Sequence, residues 1–474
     1  MTRIIVVDLD GTLISSDTLV ESGFLFLRHN PLRIFEPLIW LLKGGKAYLK
    51  QKLANSVTPD CEHLPYNNAL IIWLKEQREL GARLILATAA DYRIAEAVAD
   101  HLCIFDEVIA TRSENLSSHN KSKALVERFG EKGFEYVGNS HDDLAVWESA
   151  SVIHMVNPEF GVAKAAQQLG VQGVRFDSKQ PYLRTVFKAL RLHQWAKNVL
   201  IFVPLLASHR IFEVQLILNG LIAFFAFGLS ASSVYLLNDL LDLPDDRRHH
   251  SKRNRPLAAG TLPILHALFF IPTLLIVAFV MALWLLPWQF SAILAAYYVL
   301  TLAYSLWLKR IAMLDVVTLS MLYTSRVVAG AAAMSLMLTF WILAFSTFIF
   351  LSLALVKRYT ELYEARKNGH EEKTAGRGYY PADFELLAAL GGASGFISVL
   401  VLALYINESA TGQLYKSPEM IWLALPLLLF WIGRVWLLAH RGEMHDDPIV
   451  FALRDQVSRW TGIVFLVIFG LAAL

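Results

Sequence analysis

Apolar positions are spaced in two ways along this chain, and the change comes near residue 178. Before it, short apolar runs such as IIVV at 4–7 end in polar residues and alternate with amphipathic stretches such as YRIAEAVADHL. That pattern predicts strands at about 4–7, 83–87, 107–110 and 136–137 with helices between them, a doubly wound α/β sheet. Beyond it the apolar runs lengthen. About nine segments, at roughly 196–208, 213–238, 263–285, 288–307, 312–333, 337–356, 386–406, 419–439 and 460–474, predict an all-α polytopic membrane domain, since a crossing takes about 20 apolar residues. The polar stretch FDSKQP at 176–181 marks the joint, giving a soluble domain over 1–178 and a membrane domain over 196–474. Between them KQPYLRTVFKALRLHQW, basic and amphipathic, predicts a linker helix over 179–195 lying along the bilayer surface.

Composition agrees, because 474 residues with 55% hydrophobic content and mean hydropathy +0.44 exclude an ordinary soluble protein. Charge then orients the bundle. Loops after the even-numbered spans carry roughly sixteen Lys and Arg, from Arg247 to Arg459, against Arg210 and Lys416 in the intervening loops. Lys and Arg in short loops stay in the cytoplasm, so those loops are expected there, with the N-terminal domain beside them at a bacterial inner membrane. No export signal is read before Asp8. A net charge of +2 does not point to nucleic acid, and Cys61 and Cys103 read as reduced thiols.

Two acidic clusters carry the chemistry. In RIIVVDLDGTL, a buried strand delivers Asp8 and Asp10 to its carboxyl end, where open α/β sheets place their sites. Thr88, Lys121 and GNSHDD fall at comparable places. Over about 170 residues this part resembles the haloacid dehalogenase-like phosphatases, with DLDGT as first motif, Thr88 second, Lys121 third and GNSHDD fourth. The resemblance implies that Asp8 is the nucleophile and Asp10 the acid and base. Thr88 and Lys121 would hold phosphoryl oxygens, and Asp8, Asp10, Asn139 and Asp143 would hold Mg²⁺. It also implies a substrate-selecting helical cap over about 15–65. That family usually has an acid where Asn139 stands, so Asp142 or Asp143 would have to compensate; otherwise the domain is a degenerate, regulatory one. Lys123 could take the place of Lys121.

The second cluster is NDLLDLPDDRRHHSKRNRP at 238–256, between apolar runs. Asp239, Asp242 and Asp246 at i, i+3 and i+7 fall on one helix face, unless Pro244 delivers Asp246 by a turn. Three carboxylates suit Mg²⁺ bridging to substrate phosphates, with Lys252 and Arg255 as phosphate donors. A solvated loop in which acids and bases neutralise one another is the plain alternative, against which Asn238 and Asp239 lie close to the span. Asn238-Asp239-x-x-Asp242-x-x-x-Asp246 resembles the signature of the UbiA-type prenyltransferase superfamily. The continuation to Pro256 resembles the decaprenyl-phosphate phosphoribosyltransferases, as do LRLHQWAKN, YSLWLKR, ALVKRYTEL and GEMHDDPIVFALRD. Leu192 and His250 depart from that group's usual proline.

The resemblance implies that a polyprenyl phosphate attacks the anomeric carbon of phosphoribosyl pyrophosphate and diphosphate leaves. It assigns Lys197, Lys309, Lys357 and Arg358 to the donor or lipid phosphate, Asp315 to metal or ribose, and Tyr304 to a hydrogen bond in the site. Lys309 with Arg310 would otherwise be topology signals, and Tyr304 an interfacial anchor. Arg326 and Arg434, within apolar runs, are expected to be paired inside the bundle. The fused phosphatase would then remove the ribose phosphate. An aromatic prenyltransferase using a polyprenyl diphosphate is the alternative, disfavoured because a second paired-aspartate motif is lacking: Asp315 is followed four residues on by Leu319. A transporter or membrane scaffold is disfavoured by acids and bases gathered at one membrane face.

Overall fold

The computed structural model describes residues 3–33, 35–112, 115–177, 181–367, 377–408, 414–444 and 447–473. Ser178, Lys179 and Gln180 of the expected joint, Lys373 of a basic loop, and His445 and Asp446 of the GEMHDDPIVFALRD motif lie outside the described residues. The chain divides into two compact bodies, Met1–Leu190 with Leu236–Phe270, and Arg191–Tyr235 with Ile271–Leu474.

The first body is built on a six-stranded sheet ordered β3-β2-β1-β4-β5-β6. Its strands are β1 (Ile4–Val7), β2 (Arg83–Asp91), β3 (Glu107–Thr111), β4 (Glu135–Gly138), β5 (Val152–Val156) and β6 (Val171–Phe176), and every pairing is parallel. In β1, Ile5 and Val7 enter the apolar layer on one side and Val6 that on the other. Burial on both faces is why the strand reads as an unbroken apolar run. The crossovers run to opposite sides of β1, so the switch point of this doubly wound sheet lies between β1 and β4. Two helices, α1 (Thr18–His29) and α2 (Glu36–Ser56), occupy the stretch expected to form the cap. Asp17 caps α1 by accepting from the amides of Leu19 and Val20.

The linker helix is shorter than expected. It spans Tyr182–Ala189 and ends because Arg191 takes a left-handed backbone, φ 52°. The same body includes the acidic segment 238–256.

Among the described residues, eight helices are long and apolar enough to cross a membrane: Val214–Leu241, Ile264–Leu285, Trp288–Leu306, Leu314–Ala333, Phe340–Lys367, Pro381–Ile406, Pro418–His440 and Gln456–Ala473. They coincide with eight of the nine expected spans. The remaining one, at 196–208, is a 3₁₀ run over Leu192–Phe202 continued by the short helix Val203–Ala207. At about 2.0 Å per residue in the first part and 1.5 Å in the second, the two parts laid end to end would reach at most about 30 Å.

The second body packs in the manner of a membrane protein. On Ile264–Leu285 the small Ala278 and Ala282 are fully buried, whereas Ile276, Leu283 and Trp284 are exposed. Gly330 allows the closest approach: a Cβ there would sit 1.9 Å from the Ile201 carbonyl oxygen. Arg434 is paired as expected, whereas Arg326 has only neutral partners among the described residues. Arg434 donates to both Asp455 oxygens at 2.7 and 3.1 Å, and Arg326 to Asn198 at 3.2 Å and the Tyr297 hydroxyl at 3.1 Å.

Candidate active sites

The sheet register gathers the first cluster. Val7 lies opposite Leu86 and Val137, so the residues following them, Asp8, Thr88 and Asn139, emerge at one end of the sheet at the switch point. Asp8 is buried and receives the Lys121 ammonium at 2.7 Å; that ammonium also donates to the Tyr136 hydroxyl at 2.9 Å. The Tyr136 hydroxyl donates to Asp143 at 2.8 Å, whose other oxygen accepts from the Asn139 and Ser140 amides, both at 2.9 Å. Thr12 donates to the Asn139 side-chain oxygen at 3.1 Å, and Asp10 accepts from the Thr18 amide at 2.7 Å and its hydroxyl at 3.2 Å. Gly11 is required twice over, by φ +74° and because a Cβ would lie 2.4 Å from the Asn139 amide nitrogen.

Both leading aspartates are pushed toward their neutral forms. Burial, opposed by Lys121 and reinforced by Asp143, raises the Asp8 carboxyl to about 6. Burial, then Asp17 and Asp8, raises Asp10 to about 7. Burial would lower the Lys121 ammonium, but Asp8 and Asp143 outweigh it and hold it above its usual value. A site whose carboxylates repel one another in a buried setting is short of positive charge, and its oxygen donors suit a hard divalent cation. Asp143 is differently placed from the ligand the resemblance implied. Donors occupy both its oxygens, so it orients Lys121, Tyr136 and the 139–140 backbone. Thr88 is buried and its hydroxyl accepts from the Ala90 amide at 3.0 Å.

Two partners here escaped the sequence reading. Tyr136 looked like a strand residue, and only the fold shows that its hydroxyl joins Lys121 to Asp143. Lys50, on α2 and distant in sequence, donates to the Ala89 carbonyl at 2.6 Å and to Asn115 at 2.9 Å, beside Thr88. Burial lowers its ammonium although Asp10 and Asp17 pull it up.

In the acidic segment, the helix Val214–Leu241 stops and a short helix, Leu243–Arg248, starts with Asp242 at its cap and Pro244 in its first turn, where proline is tolerated. The Asp246 amide donates to the Asp242 carbonyl at 2.8 Å, so Asp246 arrives one turn later despite Pro244. Asp239 and Asp246 are buried, and Arg255, expected on phosphate, bridges them at 3.1 and 2.6 Å. The guanidinium occupies the place of a cation between the two carboxylates. The three aspartates do not close to metal-ligating reach of one another; among the described residues only Asp60, Glu62 and His63 do. Asn238 and Asp242 are half-buried, and Lys252 is exposed.

In the second body two clusters form. Lys197 and Lys357 both donate to one oxygen of Asp447, at 2.8 and 3.2 Å, and the Tyr323 hydroxyl donates to it at 2.9 Å. Arg326 lies over the Tyr323 and Tyr297 rings, 5.9 and 5.1 Å from their centroids, with no carboxylate partner among the described residues. The other cluster centres on Asp315, which is fully buried with Arg358 at 2.9 Å and the Tyr379 hydroxyl at 2.8 Å; Arg358 also reaches Glu361. Arg377 donates to the Tyr304 hydroxyl at 3.1 Å and stands 3.8 Å from Asp315. Asp315 and Arg358, expected to meet substrate, are thus closed on each other. Asp447 was missed although it lies in a quoted motif, because sequence gives no sign that two distant lysines converge on it. Lys309 is half-buried.

A doubly wound body with aspartates at its switch point, on a chain of apolar helices holding buried cations, defines an integral membrane enzyme with a fused α/β domain. The chain belongs to the UbiA prenyltransferase family, whose model matches residues 199–461. It is 37% identical to an uncharacterized protein, y4nM, of Sinorhizobium fredii over 99% of this chain and 90% of that one. It is 36% identical to the nodulation protein NoeC of Azorhizobium caulinodans over 59% of this chain and 90% of that one. With the decaprenyl-phosphate phosphoribosyltransferase of Mycobacterium tuberculosis the identity is 29%, over 60% of this chain and 93% of that one.

Proposed function

We propose that the membrane domain transfers a phosphoribosyl group from phosphoribosyl pyrophosphate to a polyprenyl phosphate, and that the N-terminal domain removes the 5-phosphate from the lipid product. The observation that carries the first half is the surplus of cations around Asp447. Lys197 and Lys357 share a single carboxylate, Arg326 over the neighbouring Tyr323 ring has none among the described residues, and buried positive charge without a counter-ion is costly, so the cluster fits a phosphorylated substrate. Asp239, Asp242 and Asp246 would hold Mg²⁺, which when bound stabilises charge developing on the departing diphosphate. Arg255, which bridges Asp239 and Asp246 here, would serve a substrate phosphate when those carboxylates hold the ion. The similarity to the decaprenyl-phosphate enzyme supports this choice of donor and acceptor.

For the second half, the Asp8 carboxylate would attack the phosphorus while Asp10, raised to about 7 by burial, gives its proton to the departing ribose oxygen. Asp10 then takes a proton from water, whose oxygen attacks the same phosphorus and frees Asp8 and inorganic phosphate. Lys121 and Thr88 hold the phosphoryl oxygens, with Asp143 positioning Lys121. Asp8, Asp10 and Asn139 would bind the Mg²⁺ that offsets phosphoryl charge. The basic even-numbered loops support a cytoplasmic location for both centres.

Purified protein given phosphoribosyl pyrophosphate, polyprenyl phosphate and Mg²⁺ should yield a lipid whose mass shows ribose without its 5-phosphate. Asp8→Asn should yield the same lipid heavier by one phosphate. The pairing fails if both proteins release one product that keeps its phosphate. Labelled phosphoribosyl pyrophosphate giving no lipid-soluble product would favour an aromatic prenyltransferase instead.

A further inference from the structure

The cap of the α/β domain carries an apolar surface that its own fold does not use. Between α1 and the middle of α2, Leu32, Phe35, Leu38 and Leu42 are 96%, 72%, 54% and 78% exposed, and Ile39 and Leu41 are exposed beside them. Helical dihedrals break at Gly44 and Gly45. Beyond the break α2 returns to the domain and buries Leu49, Leu53 and Ala54. Only its second half is therefore a core helix. Its first half is apolar where a soluble domain would be polar, and Arg33, Lys43 and Lys46 stand exposed along it. A contiguous apolar patch rimmed by basic side chains is the composition of a segment lying in a lipid interface.

The occupant follows from what the same body contains. It includes residues 236–241 and 264–270, the ends of two membrane-crossing helices. The cap is fastened to the segment joining them. Arg247 donates to both oxygens of the buried Glu21 at 3.1 and 2.5 Å, Arg248 pairs with Asp60 at 2.7 Å, and Arg28 stands 3.6 Å from Asp245. Gly260 packs so closely that a Cβ would lie 2.9 Å from Ser15. The apolar segment starts directly after α1, the helix bearing Glu21 and Arg28. Its tether is thus made to the connection between those two membrane-crossing helices.

We infer that the cap surface carrying Leu32, Phe35, Leu38 and Leu42 is an anchor that inserts into the anionic interface of the bilayer, bringing the Asp8 site to a phosphomonoester carried on a lipid headgroup. The substrate clause rests on the phosphatase reading above; the anchoring does not. Lys43 and Lys46 would meet lipid phosphates while the Leu and Phe side chains leave water.

The test uses the full chain in proteoliposomes containing phosphatidylglycerol, with Cys61 and Cys103 replaced by serine and a bimane label on Leu42→Cys. The label should be quenched by brominated lipid and shielded from aqueous iodide. Quenching by iodide but not by brominated lipid would overturn the anchor. Shielding from both, with cross-linking between copies, would overturn it in favour of a contact between two chains. A second variant, Phe35→Ser with Leu42→Ser, should hydrolyse soluble p-nitrophenyl phosphate at the wild-type rate but lose about tenfold on a polyprenyl-phosphoryl phosphoribose in the same vesicles. An equal loss on both substrates, or on neither, would overturn the substrate clause. Wild type inert toward both would instead sink the phosphatase reading while leaving the label result to stand by itself.

Discussion

At the scale of single residues, the chemistry is set by which charges lack a counter-charge. Asp10 is the sharpest case, since burial, Asp17 and Asp8 raise it to about 7 from an ordinary 3.8. Between those values the folded state binds the extra proton, so its contribution to stability falls as pH rises and the cost is complete above about 7. In metal-free protein, Asp10→Asn should therefore slow hydrogen exchange in β1 at pH 8, and the difference should vanish below about pH 4. In the membrane part, Lys197 and Lys357 share Asp447. Lys197→Met should raise the KM for the pyrophosphate donor by roughly tenfold to a hundredfold, because a charge-assisted hydrogen bond is lost. The DLDGT aspartates were legible in the sequence because the motif is local. Asp447 was not, because its partners lie 250 and 90 residues away.

At the scale of elements, length and apolar content were legible, and the manner of packing was not. Eight spans were readable because a helix in lipid must be long and apolar, whatever it touches. The span expected at 196–208 is instead a 3₁₀ run and a short helix over 192–207, a helix type that an apolar run does not announce. Its contact with Leu314–Ala333 makes a second test. Gly330→Ala would force a methyl against the Ile201 carbonyl, fixed backbone that cannot yield cheaply. The substitution should destabilise the bundle by about 1–3 kcal/mol, seen as a lower thermal midpoint in detergent. Pro244 shows the converse. Read as a disturbance of one helix, it instead opens a second, and Asp246 reaches Arg255 from there.

At the scale of the whole molecule, the acidic segment 238–256 belongs to the body of the α/β domain, although it lies between two spans in the sequence. The Arg247–Glu21 pair is the strongest link, and removing Arg247 leaves the buried Glu21 carboxylate unpaired, at a local cost of up to about 3–5 kcal/mol. Arg247→Met should raise hydrogen exchange in both α1 and Leu243–Arg248 while leaving β1 and β4 protected. Unchanged exchange in those two helices would show that the pair fastens nothing. Arg247 and Glu21 were each visible as charges, and their pairing across 226 residues was not.

The sequence by itself determined the α/β alternation, the spans, the two acidic clusters and their family, because these depend on local period, composition and motif. Tertiary structure alone decided that Arg255 bridges the aspartates, that Asp143 is occupied by backbone donors, that two lysines meet on Asp447, and that the cap leaves its apolar face uncovered. Each of these is a matter of which distant groups come within a few ångströms and lose water together, and no local pattern along a chain encodes that.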